Sequence, residues 1–151
     1  MKISPLQLLR YVASETSCSG NGTFDNSKPF DPGEGQPELT VTVARQEKPQ
    51  DFEGNFWAVE MTVAQTCKPG QNFPYNFKVS LLGFFALRDV KASLEWEERF
   101  VRDNGSSMLY GAAREIVRSM TSRGPWGALF LPSLTFYDPK PEGVKPTTAG
   151  A

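Results

Sequence analysis

The chain has 151 residues, with 16 basic and 17 acidic side chains, a net charge of −1 and no histidine. A nearly neutral balance supplies no basic field for nucleic acid, and the missing imidazole removes the commonest general base and metal ligand together. A chain of this length is read as one domain with a modest core that oligomerisation helps to stabilise.

The opening MKISPLQLLRYVASE carries neither the apolar core of a signal peptide nor, here or later, a run long enough to span a membrane, so a cytoplasmic protein is expected. Local rules leave residues 3–19 open. Ser4-Pro5 followed by Leu6, Leu9 and Ala13 keeps helical spacing, whereas Tyr11-Val12 through Thr16-Ser17 favours strand. Gly20 to Gln36 is rich in Gly, Asn, Ser, Pro and Asp and is predicted to be a long crossing loop, with Phe24 and Phe30 as its isolated large apolar groups.

Leu39, Val41 and Val43 alternate with threonines, and Trp57, Val59, Met61 and Val63 alternate with Ala58, Glu60 and Thr62, which predicts two strands each buried on one face. Lys48-Pro49-Gln50-Asp51 and Lys68-Pro69-Gly70-Gln71 are turn sequences, compatible with an antiparallel meander. A further strand is predicted over Tyr75 to Phe85, with a bulge at Leu82-Gly83. Residues 91–103 are read as a short helix or helical loop, in which Glu95, Glu97 and Glu98 form a solvated face. Asn104-Gly105-Ser106, like Asn21-Gly22-Thr23, is read as a turn.

The main helix is expected to start at a Ser106 or Ser107 cap and to end at Gly124-Pro125, with Leu109, Ala113, Ile116 and Met120 on its apolar side. Arg114 and Glu115 on it suit intersubunit or surface ion pairing. Trp126, Leu129, Phe130, Leu131, Leu134 and Phe136 then follow too densely for a solvated loop. The tail from 139 to 151 has little to bury and is predicted to be disordered. Cys18 and Cys67 lack zinc-site spacing and are read as two reduced thiols, and the glycines match no phosphate or dinucleotide loop, so no cofactor is expected.

Ala113-Arg114-Glu115, Ser122-Arg123-Gly124, the aromatic after it, Leu129-x-Leu131, a proline and Phe136 together resemble the helix and following loop of the SecB export-chaperone family. Leu6-Gln7-x-x-Arg10 resembles the family's first strand, which tips residues 3–19 to one long strand, and Gln36-Pro37-Glu38-Leu39-x-Val41 resembles the opening of its second, so the likeness runs over residues 6–138. Pro132 stands one position early, and the family's long C-terminal helix has no counterpart. The resemblance points to a SecB-like branch that includes chaperones linked to toxin–antitoxin systems.

That resemblance implies an α+β fold, a four-stranded antiparallel sheet followed by one main amphipathic helix, in a SecB-like domain over residues 1–138. It implies an ATP-independent holdase for unfolded or nascent proteins, assembled as a dimer of dimers. Leu109, Ala113, Ile116 and Met120 are then expected at the oligomer interface. Client binding is expected on Phe24, Phe30, Leu39, Val41, Val43, Trp126, Leu129 and Leu131, although each aromatic is equally readable as core. The family engages the export motor SecA partly through acidic residues on the exposed sheet. Glu15 falls at one such position, but Ser19 and Lys78 fall at two others, so weak SecA coupling and a dedicated client such as an antitoxin are expected. Two readings from other classes stay open: a small oligomeric enzyme of the hot-dog type, whose helix sits early in the chain, and a subunit that binds a single partner.

Overall fold

Side chains that alternate between apolar and polar become strands where one face can be covered, and four such stretches do so in the computed structural model, which describes residues 1–30 and 37–137. They are β1 (Leu6–Gly20), β2 (Glu38–Gln46), β3 (Asn55–Gln65) and β4 (Tyr75–Leu87), and one helix follows, α1 (Leu94–Thr121). All pairings are antiparallel and the spatial order is β1-β4-β3-β2. β2, β3 and β4 form the expected meander, with turns closed by Phe52 N–H to Pro49 O at 3.1 Å and Gln71 N–H to Lys68 O at 3.0 Å. β1 lies beside β4 at the opposite edge from β2, so the crossing loop carries the chain from one side of the sheet to the other, as in a Greek key.

The ambiguity over residues 3–19 resolves as strand because pairing with β4 from Leu6↔Leu87 to Gly20↔Tyr75 satisfies the backbone over the whole segment. Helical spacing at its start loses to that tertiary pairing. The expected bulge is displaced from Leu82-Gly83. The β3–β4 register there is continuous, and the irregularities fall on β1, where Leu9 and Ser14 are extra residues. Cys18 and Cys67 are free thiols, and burial raises the pKa of both.

The helix is longer than expected and begins earlier. Ser93, not Ser106 or Ser107, caps it, its hydroxyl accepting from Trp96 N–H at 3.2 Å, and residues 94–121 form one uninterrupted α1. Asn104-Gly105-Ser106 is helix interior rather than a turn. At Gly105 the helix crosses the sheet so closely that a Cβ would stand 3.2 Å from Val59 Cγ2 and 3.3 Å from Phe85 Cζ, so the glycine serves close approach. Gly83 of β4 meets the same crossing, where a Cβ would stand 2.8 Å from Leu109 Cδ2.

The buried stripe of α1 follows every fourth residue, Glu97, Val101, Gly105, Leu109, Ala113, Val117 and Thr121, the ridge that lies oblique to a helix axis. Leu109 and Ala113 are fully enclosed by the chain's own sheet and core. Their assignment to an oligomer interface is corrected accordingly: apolar area already removed from water cannot be buried again. Ile116 and Met120 lie at the margin of the stripe, partly buried. The reading of Glu97 as solvated is corrected too. Its carboxylate is 4 % exposed and accepts from Asn55 Nδ2 at 3.0 Å, while Asn55 Oδ1 accepts from Arg45 at 2.6 Å, joining β2, β3 and α1. The expected disordered tail, residues 139–151, lies outside the described residues.

Candidate functional site

Two loops meet at one end of the sheet. The first is the start of the crossing loop, which polar side chains fasten to the segment before β4. Asn21 N–H donates to Pro74 O at 2.7 Å and its side-chain amide to Phe73 O at 2.8 Å. Asp25 N–H donates to Asn72 Oδ1 at 2.8 Å, and Asn72 Nδ2 returns a bond to Asp25 O at 3.0 Å. The Asp25 carboxylate also accepts from the Ser27 amide and hydroxyl at 3.0 and 2.6 Å, and these bonds, with Lys28 alongside, hold its pKa below the ordinary value. With its backbone tied this way, the loop can present Phe24 and Phe30 as rings rather than collapse around them.

The second loop leaves the end of α1. Gly124 N–H donates to Thr121 O at 2.9 Å and Gly127 N–H to Gly124 O at 3.3 Å, so the chain reverses within a few residues of the helix. Leu129 N–H donates to the buried Thr121 hydroxyl at 2.8 Å, which draws Leu129 inward. The Trp126 indole N–H reaches across to Asn21 O at 3.2 Å, joining the two loops.

The rings form a chain of edge-on contacts: Trp126 to Phe24 at 5.1 Å, Phe24 to Phe30 at 6.1 Å and Phe30 to Phe73 at 5.1 Å. Between them lies a cleft of about 320 Å³ lined by Phe24, Phe30, Tyr75, Trp126 and Leu129, with Lys28 at its rim. Phe24 and Phe30 are half-buried and Trp126 is 37 % exposed, so ring surface remains available to an incoming group.

Three of the expected binding residues, Phe24, Phe30 and Trp126, are thus brought together with ring surface open from sequence positions about a hundred residues apart, and Leu129, 3 % exposed, is corrected to core at the floor of the cleft. The others are not brought there. Leu39, Val41 and Val43 lie on the core-facing side of β2, partly buried, beside Val63, Met61 and Val59. Leu131 is 3 % exposed, so its placement as a contact residue is corrected to core. Its carbonyl accepts from Arg114 Nε at 3.0 Å, and beside it a hollow of about 230 Å³ includes Gly111, Glu115, Arg118 and Phe130. Sequence reasoning missed Phe73 and Tyr75. Tyr75 carried only a strand signal, and nothing local marks its hydroxyl as facing a loop fifty residues away.

Chemically the cleft offers a mixed surface, aromatic rings beside polar groups that include Asn26 and Lys28. Among the described residues, no group of three or more Cys, Asp or Glu side chains is placed to hold a metal ion. The arrangement can bind apolar or aromatic side chains.

The model of the SecB family, described as preprotein translocase subunit SecB, matches residues 23–138. The chain belongs to the SecB family. The match takes in the crossing loop, β2 to β4, α1 and the post-helix loop, and it begins after β1, which the sequence reading had included. Among solved structures, this SecB-family chain is similar to the Mycobacterium tuberculosis Rv1957 SecB-like chaperone in complex with a ChAD peptide from the Rv1956 HigA1 antitoxin. The TM-score is 0.52 at 16% identity, over 86% of this chain and 91% of that one. It is also similar to a protein of unknown function from Streptococcus agalactiae, with a TM-score of 0.52 at 10% identity over 84% of this chain and 96% of that one. No curated protein matches it. The four-stranded antiparallel sheet with its helix after all the strands is the arrangement that the SecB resemblance implied, and it is not the early-helix order of a hot-dog enzyme.

Proposed function

We propose that this SecB-family chain is an ATP-independent holdase that keeps unfolded or nascent proteins from aggregating, acting in the cytoplasm and performing no reaction on them. The observation that carries this reading is the half-open aromatic cleft, pinned by polar bonds so that rings stay partly exposed in a folded protein. One large apolar side chain buried there contributes roughly 1.5–3 kcal/mol. A few such contacts reach the ~8 kcal/mol of micromolar capture, and several segments of one client add avidity. Leu39, Val41 and Val43 are retained as a second strip for an extended client, on β2, whose outer backbone groups have no partner strand among the described residues.

The test is capture of an unfolded model protein by the double variant Phe24→Ser, Phe30→Ser. Capture should weaken while far-UV circular dichroism and oligomer mass stay unchanged. Normal capture would mean that the two rings are core and the client lies elsewhere. No helix among the described residues is long and apolar enough to cross a membrane.

Assembly is proposed on surfaces the chain leaves uncovered. β1, an edge strand of the sheet among the described residues, exposes Leu9, Tyr11 and Val12 at 45, 43 and 41 %, and Ile116 and Met120 border the outer side of α1. A second copy at these surfaces fits the dimer of dimers that the resemblance implies, and light scattering at micromolar concentration should report a dimer or tetramer.

A dedicated client, such as an antitoxin, is favoured over strong SecA coupling by one contact. The Glu15 carboxylate, an acid the resemblance aligned with SecA binding, is paired with Lys78 Nζ at 2.8 Å, so its charge is offset within the chain. Calorimetry with SecA at low salt should find weak binding, and submicromolar affinity lost on Glu15→Lys would restore the export role.

A further inference from the structure

Tyr75 opens β4, is 1 % exposed, and carries its hydroxyl to the post-helix loop. That oxygen accepts from Trp126 N–H at 3.0 Å and lies 2.8 Å from Gly127 O and 3.2 Å from Thr121 O. A phenol has one proton. Gly127 O is the nearer of the two acceptors, so the proton goes to it, and the hydroxyl bridges the Trp126 amide to the Gly127 carbonyl. The loop is built around this one atom. A Cβ on Gly124 would stand 2.6 Å from it, and Gly127 takes φ +77, a conformation that side chains other than glycine rarely adopt.

The geometry points to Tyr75 as the positioning residue of the cleft: its hydroxyl holds the Trp126 wall in register with Phe24 and thereby sets how tightly aromatic groups are captured. This rests on the reading of the cleft as the client site. Among the described residues, Trp126 is attached to the crossing loop by its exposed indole bond to Asn21 O and its edge-on contact with Phe24, both of which an entering ring can displace. The Tyr75 bond to its backbone is inside the wall, so the ring can yield while the main chain stays in place. A site that takes many clients needs such a hinge: movable rings on a fixed backbone.

The test is Tyr75→Phe, which keeps the buried ring and removes the hydroxyl. The tryptophans are labelled with 5-fluorotryptophan, and the resonances of Trp57, Trp96 and Trp126 are assigned by substitution. The Trp126 resonance should shift or broaden while Trp57 and Trp96 stay in place. Capture of reduced, carboxymethylated α-lactalbumin should weaken about tenfold, the loss expected for one well-made buried hydrogen bond. A peptide with several phenylalanines should lose more than a leucine peptide of the same length. An unmoved Trp126 resonance would overturn the proposal, as would wild-type affinity with a moved one. The Phe24→Ser, Phe30→Ser protein separates the two readings. If it loses capture and Tyr75→Phe does not, the positioning role alone fails; if neither loses capture, the client reading fails with it. Should Tyr75→Phe not fold, hydrogen exchange on the unaltered protein decides: slow exchange of the Trp126 amide supports the pin, and exchange at the rate of an unstructured loop overturns it.

Discussion

Where α1 crosses the sheet, Val59, Gly83, Phe85, Gly105 and Leu109 meet without a gap, and the residues involved are almost fully enclosed. Where the crossing loop meets the post-helix loop, rings touch edge-on, Trp126 stays 37 % exposed, and a small set of hydrogen bonds fixes the backbone. The first region stores stability in contacts that tolerate no added atom. The second gives up burial and keeps apolar surface available. A chain that must remain folded while exposing rings gains from separating the two, because damage at one is then read out differently from damage at the other.

The sharpest way to break that comparison is Leu109→Ala. At a closed crossing it should lower stability by about 2–5 kcal/mol in urea unfolding. Dissociation of a still-folded oligomer instead would mean that Leu109 faces a partner. Adding an atom should act in the same direction. Gly83→Ala, whose Cβ would stand 2.8 Å from Leu109 Cδ2 and 2.9 Å from Phe85 Cε2, is expected to cost about 1–3 kcal/mol, with a lower Tm by calorimetry.

Changes at the margin should leave stability nearly intact and move association instead. Ile116→Asp places a charge at a partly buried position on the outer border of α1, and it should lower the mass seen by light scattering with little change in circular dichroism. An unchanged mass would move the interface wholly to β1.

The smallest expected effect is at the cleft and depends on pH. Because the Ser27 bonds and Lys28 depress the Asp25 pKa, the contribution of this carboxylate is fully present above its unfolded value and is lost as pH falls through the folded one. Chemical shifts of residues 24–28 should therefore be constant from neutral pH down to about 4, where an unfolded Asp titrates, and change only below that. Movement of the loop near pH 6 would contradict the assignment.

Much of the architecture was legible in the chain itself. The alternation of Leu39 to Val43 and Trp57 to Val63, the turn sequences after Lys48 and Lys68, and the four-residue spacing from Leu109 to Ala113 are local signals, and local sterics and burial impose them whatever lies opposite. The stretch after the helix announced by its apolar density that something covers it, and that holds in part: Leu129 and Leu131 are buried, whereas Trp126, Phe130 and Leu134 stay exposed. Tertiary structure alone decided the rest. Residues 94–121 become one helix because Gly105, a break by local rules, is what the close crossing needs. Leu109 and Ala113 became core because a helix stripe records only that it will be buried, not whether by its own sheet or by another chain. The cleft sets Trp126 against Phe24 and pins its backbone to Tyr75, residues whose separations along the chain carry no periodic signal, since contacts between loops are fixed by where strands and helix end in space rather than by any pattern within them.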